Sequence, residues 1–158
     1  MANRKILRLK LTLLKKEIKL KIAKSDNEIL ACFQVMKELR SEIEREAFLP
    51  TIRFMQNEGY ILAYIEAENE VVSVAGFRIC MNLAAEGKAL YIYDLITSEQ
   101  QRSKGYGASL LKDIVAYANE DNCKCVHLDS NVIRHKAHKF YLENGFDIVA
   151  HHFLLKLK

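Results

Sequence analysis

The stretch QQRSKGYG, residues 100–107, places two of the chain's six glycines and two cations between an apolar run and a helix-patterned run. The apolar run is ALYIYDLIT (89–97), and ASLLKDIVAYANE follows the loop with an apolar stripe at Leu110, Leu111, Ile114, Val115 and Ala118. A further strand-like run, KCVHLDS, comes next. Strand, helix and strand in that order form a right-handed crossover between parallel neighbours. That unit commits the chain to a fold with a parallel strand pair and a helix across one face. The loop itself has the order of parts that holds phosphate. First-turn N–H groups of a helix lack intrahelical acceptors, and the helix dipole favours negative charge there. Glycine lets a backbone approach an anion without a Cβ in the way, and Arg102 and Lys104 can add charge-assisted hydrogen bonds. The same letters also fit a solvated surface loop, so the loop alone does not decide.

The remaining elements follow from period and punctuation. Leu7, Leu9, Leu11 and Leu13 alternate with polar residues, as do Ile18, Leu20 and Ile22, and both runs read as short strands. Ser25 or Asp26 offers an N-cap to a helix over 27–43, and a second helix covers 44–57, interrupted by Pro50 and closed by Gly59. The run from Tyr60 to Asn82 reads as two strands joined at Glu68-Asn69-Glu70. RHKAHKFYLEN predicts a last helix capped by Gly145, and FDIVAHHFLLKLK one bent strand or two. The expectation is one mixed α/β domain, antiparallel in its first half, with a central sheet of six or seven strands and about four helices.

Charge divides the chain. Residues 1–24 hold nine Lys or Arg against Glu17, whereas the remaining residues carry a slight acidic excess. Residues 1–17 therefore read as a basic extension on a domain spanning 18–158. Such an arm can be a solvated extension, an edge strand kept soluble by lysines, or a contact for nucleic acid or anionic lipid. No run approaches the roughly 18 apolar residues of a membrane span, and lysines interrupt the N-terminal leucines too often for a signal peptide. A cytoplasmic protein with four reduced cysteines is expected. Cys123 and Cys125, followed by His135, His138, His151 and His152, invite a zinc reading. Structural zinc wants C-x₂₋₄-C with a second matching pair, and neither half fits, so no metal is expected.

The phosphate ligand is narrowed by exclusion. No Walker pattern is present. The dinucleotide fingerprint needs a small residue where Leu110 stands, although Asp129 falls near its acidic position. DLITSEQQRSKGYGASLL resembles the acetyl-CoA signature of the GNAT superfamily of N-acetyltransferases, with Asp94, Leu95 and Thr97 in the strand and Arg102, Gly105 and Gly107 in the loop. AHKFYLENGF resembles a second motif of the same superfamily, through Ala137, Phe140, Tyr141, Gly145 and Phe146.

The resemblance implies a sheet splayed between the strand ending at Thr97 and the one ending near Asp129 and Ser130. It implies pantetheine pairing with the backbone at Leu95, Ile96 and Thr97. Pyrophosphate is expected on the loop formed by Arg102, Ser103, Lys104, Gly105, Tyr106 and Gly107, with Ala108 behind it. Tyr141 becomes the general acid toward the departing thiolate; a packed core tyrosine is the competing reading. Asp94 is the candidate general base by location, or a brace for neighbouring backbone, on the strand face of Ile92 and Ile96. Arg134 replaces the asparagine many members carry, and can reach cofactor phosphate or an acidic acceptor. Glu42, Glu44 and Glu46 follow the first helix, where acceptor pockets are built, and also fit a solvated acidic turn. The expected activity is direct transfer of acetyl from acetyl-CoA to a primary amine of a small molecule or peptide, without an acyl-enzyme. A homodimer is expected, with no membrane or nucleic-acid partner. The rivals are a non-catalytic acyl-CoA-binding regulator and a nucleic-acid-associated protein using the arm.

Overall fold

The computed structural model describes residues 19–157, so the strand expected at Leu7–Leu13 and the whole basic extension over 1–17 lie outside the described residues. From Lys19 onward one five-stranded sheet organises the chain in the order β1-β2-β3-β4-β5. Its strands are β1 (Lys21–Ile22), β2 (Ile61–Ala67), β3 (Glu70–Asn82), β4 (Gly87–Thr97) and β5 (Cys125–Leu128). The first three pairings are antiparallel, and β4 pairs parallel with β5. The crossover between them is α4 (Tyr106–Glu120), reached through a 3₁₀ turn at Glu99–Gln101. Three helices, α1 (Asp26–Ala31), α2 (Phe33–Leu39) and α3 (Arg45–Asn57), lie between β1 and β2, and α5 (His135–Glu143) follows β5. Among the described residues no helix is long and apolar enough to cross a membrane.

The central strands are buried on both faces. Below them Leu110, Leu111, Ile114 and Ala118 of α4 pack on Ala63, Ile65, Ala75, Phe77, Leu90 and Ile92. Above them Ile29, Phe33, Met36, Phe48 and Ile52 pack on Tyr60, Leu62, Tyr64 and Val74. The hairpin between β2 and β3 turns at Glu68 and Asn69, both at positive φ (54° and 66°), so two residues reverse the chain. Ser25 caps α1 in a capping box with Glu28.

Four local expectations are corrected. The single helix over 27–43 is two, because the Cys32 amide bonds the nearer Ile29 carbonyl and tightens the turn. Pro50 does not end α3; it removes one helical hydrogen bond, and buried Phe48 and Ile52 on either side hold the helix to the core. The sheet has five described strands rather than six or seven, with five α-helices rather than about four. Residues 146–157, expected as strand, are assigned no ladder, and Ile148, Val149, Phe153, Leu154, Leu155 and Leu157 stand exposed.

The most consequential irregularity lies in β4. Gly76 pairs with Asp94, but the next residue, Phe77, pairs with Ile92, which leaves Tyr93 as an extra residue. This β-bulge inverts the strand's alternation. Ile92 faces the α4 core, whereas Asp94 reaches Tyr60 and Ile96 packs with the helices on the opposite face. The expectation that Asp94 shares a face with Ile92 is therefore corrected. Gly76, opposite the bulge, leaves room for the Tyr60 ring: a Cβ built there would lie 1.6 Å from the Tyr60 hydroxyl. Gly76→Ala must evict Tyr60 or shift β3, and we expect a loss of about 1–3 kcal/mol in chemical denaturation. Gly87→Ala, whose Cβ meets only the flexible Lys124 side chain, serves as the control.

Candidate functional site

The parallel pairing of β4 with β5 stops at Ile92–Leu128, while β4 runs on to Thr97. From Tyr93 onward the two strands diverge, and β4 keeps ladder pairing only with β3. The open backbone edge of Leu95, Ile96 and Thr97 leads straight to the loop before α4. The β3 side of the same segment is held firmly, since Ser73 Oγ donates to the Ile96 carbonyl (2.9 Å) and lies 3.0 Å from Thr97 Oγ1.

The loop is shaped by two unusual backbone positions. Ser103 has φ +64°, and Gly105, the N-cap of α4, has φ +88°. Nothing lies within 4 Å of where a Gly105 Cβ would stand, so its requirement is conformational. Gly107 has the opposite reason: a Cβ there would come 3.0 Å from Thr97 Oγ1 and 3.8 Å from Phe140 Cζ. The start of α4 thus sits closely on the end of β4, and its first-turn amides, from Tyr106, Gly107 and Ala108, face outward without intrahelical acceptors. Tyr106 packs into the lower core, and Ala108 lines a shallow groove with Lys112 and Asn144. The backbone here suits a bound phosphate.

The two loop cations are engaged with protein groups. Arg102 donates to the Thr97 carbonyl (3.3 Å) and lies 3.7 Å from Glu38 and 3.9 Å from Glu99. Lys104 donates to Gln101 (2.7 Å). Glu38 on α2 also accepts from Ser98 Oγ and the Glu99 amide (3.1 and 2.8 Å). One glutamate therefore fastens the 3₁₀ turn and Arg102 to the upper helices.

Phe140 reaches Gly107, and this brings the second sequence motif to the loop. Tyr141 stacks edge-on with Phe140 (5.4 Å between rings) and tilted against Phe146 (5.8 Å). Burial pushes the Tyr141 phenol above its ordinary value, opposed by Arg134, the N-cap of α5. The phenol is a neutral donor at physiological pH. Arg134 itself is exposed and lies about two helical turns from Tyr141.

Asp94 is buried, only 7% exposed, and both its oxygens are engaged. Arg40 Nε donates to Oδ1 (2.7 Å) and the Tyr60 hydroxyl to Oδ2 (2.8 Å). Burial, reinforced by the Asp94 carboxylate, pushes the Tyr60 phenol well above its ordinary value, so it remains a donor. Arg40 Nη2 also donates to the carbonyl of the bulged Tyr93 (3.1 Å). These residues floor a cleft of about 630 Å³ between α2, α3 and β4, whose walls include Met36, Leu39, Ile43, Phe48, Ile52 and Met55. Glu42 lines the same cleft, whereas Glu44 pairs with Lys37 (3.4 Å) and Glu46 sits in the first turn of α3.

The structure thus gathers Leu95–Thr97, the loop and Phe140–Tyr141 around one end of β4, with Asp94 on the upper face. Sequence reasoning missed Arg40, Tyr60, Gly76 and Glu38. Arg40 lies 54 positions from Asp94, Tyr60 lies 34, and no local pattern marks either partnership.

Comparison with known proteins agrees with this arrangement. Residues 21–146 match the model of the acetyltransferase (GNAT) family. An uncharacterized N-acetyltransferase of Bacillus subtilis, YhdJ, is 31% identical over 138 residues, covering 86% of this chain and 96% of its own. An acetyltransferase of Trypanosoma brucei superposes with a TM-score of 0.73 at 20% identity, over 88% of this chain and 99% of its own. A GNAT family acetyltransferase of Staphylococcus aureus does so at 0.74 and 18%, over 87% and 97%. At such identities the solved structures show a shared fold.

The loop geometry makes a prediction independent of chemistry. Gly105→Ala forces a Cβ into the left-handed region and should cost about 1–2 kcal/mol in urea denaturation, even though the space around it is empty. An unchanged midpoint would mean that the loop has no preference for this backbone.

Proposed function

This chain belongs to the acetyltransferase (GNAT) family, and from that premise we propose that it transfers acetyl directly from acetyl-CoA to a primary amine. The observation that carries the reading is the divergence of β4 from β5 beyond Ile92–Leu128, which leaves a backbone edge with no partner strand among the described residues, leading to the N-terminus of α4, with its last carbonyl held by Arg102. An extended amide-bearing arm can pair with that edge as an added strand does. Leu95, Ile96 and Thr97 supply it. Pyrophosphate rests on the amides of residues 103–108, favoured by the helix dipole. Because Arg102 and Lys104 already hold protein partners, the backbone carries most of this contact in our reading. Arg134, exposed at the start of α5, is free to meet a more distant phosphate.

Acetyl-CoA supplies an activated thioester, and the chain's own groups orient it and handle protons. Tyr141 is the proposed general acid. Its phenol stays protonated at neutral pH, so it can donate to sulfur as negative charge develops there. Deprotonation of the amine is assigned differently. Both Asp94 oxygens accept hydrogen bonds, one from the Arg40 guanidinium and one from the Tyr60 hydroxyl, so both are already committed to protein partners. The proposed task of Asp94 is to hold Arg40 and Tyr60 in the cleft floor, with the amine losing its proton to solvent. A general-base role for Asp94 would require Arg40 to release it.

We also propose a homodimer in the cytoplasm. Exposed Cys80 and Cys125 suit a reducing compartment. The exposed apolar stripe of residues 148–157 lies near the end of β5, where His152 Nδ1 is 2.8 Å from Asp129. The outer edge of β5 has no partner strand among the described residues. Apolar side chains beside an unpaired edge favour association with a second copy.

Two measurements test these readings. Tyr141→Phe should lower kcat by about 10²-fold or more while acetyl-CoA still raises the melting temperature. Unchanged turnover would remove Tyr141 from the acid role. Light scattering should give twice the chain mass of 18.2 kDa, and Phe153→Asp with Leu155→Asp should return the single-chain value. A wild-type protein of single-chain mass would overturn the dimer.

A further inference from the structure

The cleft above β4 has a chemistry of its own, distinct from the donor site. Its walls are apolar: Met36, Phe48 and Ile52 are buried side chains at its base, and Leu39, Ile43 and Met55 continue the surface. Such a lining gains by covering the apolar body of a ligand. The cleft holds few free anions. Asp94 is neutralised by Arg40 and Tyr60, which leaves Glu42 as the lining carboxylate without a basic partner among the described residues. Its own contact is with the Ser41 hydroxyl (2.9 Å). A polycation with three or four ammonium groups would meet only one such carboxylate.

Arg40 supplies the polar complement to these walls. Nε is bonded to Asp94, and Nη2 to the Tyr93 carbonyl, so the guanidinium plane is held in place. Nη1 has no partner among the described residues, and the side chain is 54% exposed where it lines the cleft. A preoriented guanidinium with spare N–H groups at the floor of an apolar cleft recognises a carboxylate. It is also fastened to β4 at Tyr93 and Asp94, just before the Leu95–Thr97 segment.

Resting on the acetyl-transfer reading above, we propose that the acceptor is an α-amino acid with an apolar side chain. The side chain enters the Met36–Met55 wall, the carboxylate meets Arg40, and the α-amine is directed to the thioester. The amine nitrogen forms a bond to the acetyl carbon, the carbon–sulfur bond breaks, the thiolate takes a proton, and the amine's proton leaves to solvent. The products are the N-acetyl amino acid and free coenzyme A.

The test measures coenzyme A release from acetyl-CoA with the full-length protein and a chosen panel. It holds L-phenylalanine, L-leucine, L-methionine, phenethylamine, spermidine and kanamycin. Thermal shift with acetyl-CoA alone is read in parallel. L-phenylalanine should exceed phenethylamine, its decarboxylated counterpart, in kcat/KM by about 10–100-fold, the worth of one hydrogen bond to a charged group. Arg40→Gln should collapse that ratio toward one, and Arg40→Lys should restore part of it. A global defect would lower both substrates together and leave the ratio high, which would overturn the carboxylate contact. Preference for spermidine or kanamycin, or equal use of phenethylamine, overturns the proposal while leaving acetyl transfer intact. Absence of a thermal shift with acetyl-CoA instead overturns the donor reading on which the proposal rests.

Discussion

A buried carboxylate must be paired or it will not stay charged, and in this chain that requirement falls on Asp94. Its two partners come from different parts of the sequence: Arg40 at the C-cap of α2, and Tyr60 just before β2. Meeting both demands has structural consequences. β4 must turn Asp94 upward, which the extra residue at Tyr93 accomplishes. β3 must leave space for the Tyr60 ring, which the bare Gly76 provides. The same bulge presents the Tyr93 carbonyl to Arg40. One ion pair, one phenol and one glycine therefore specify where the upper helices stand over the sheet.

The bulge also bears on the lower face and the donor site. A β-bulge bends its strand and strengthens the local twist. Here it falls immediately beyond the last β4–β5 pair, so the bend and the divergence of the parallel strands occur together. The last residues of β4 are consequently anchored on one side by Ser73 and open on the other. Glu38 then secures the far end, holding the 3₁₀ turn and Arg102 against α2. The upper helices thus build the cleft and also steady the loop that leads into α4. The cleft and the loop are mechanically one unit.

The sequence carried the local parts of this design well. The α4 stripe, the turn at Glu68-Asn69, the glycine after α3 and the two motifs around Gly105 and Tyr141 all fall where their patterns placed them. Those signals are short-range, set by helical period or by residues that tolerate positive φ. The features that escaped were long-range or compensatory. Nothing near Arg40 says that its partner lies on β4, and nothing near Gly76 says that a tyrosine ring will fill its vacancy. The bulge at Tyr93 inverted the inferred face of Asp94, because alternation presumes an unbroken ladder. The split at Cys32 was hidden because the apolar spacing runs through it. Residues 146–157 have a strand's composition without a strand's partner in the described chain.

These misses bear on the chemistry assigned to the site. Location alone recommends Asp94 as a base, and simple alternation leaves it free to act. The contacts point the other way, since both of its oxygens already accept hydrogen bonds, one of them from the Arg40 guanidinium at 2.7 Å. Tyr141 has the opposite environment. Burial without an anionic partner keeps its phenol neutral, the form an acid requires. The resulting division of labour is asymmetric. In the mechanism we propose, Tyr141 is the proton donor for the leaving thiolate and Arg40 the positioning group for the acceptor, whose own proton escapes through the cleft. An enzyme so arranged should depend on the fraction of acceptor amine already unprotonated.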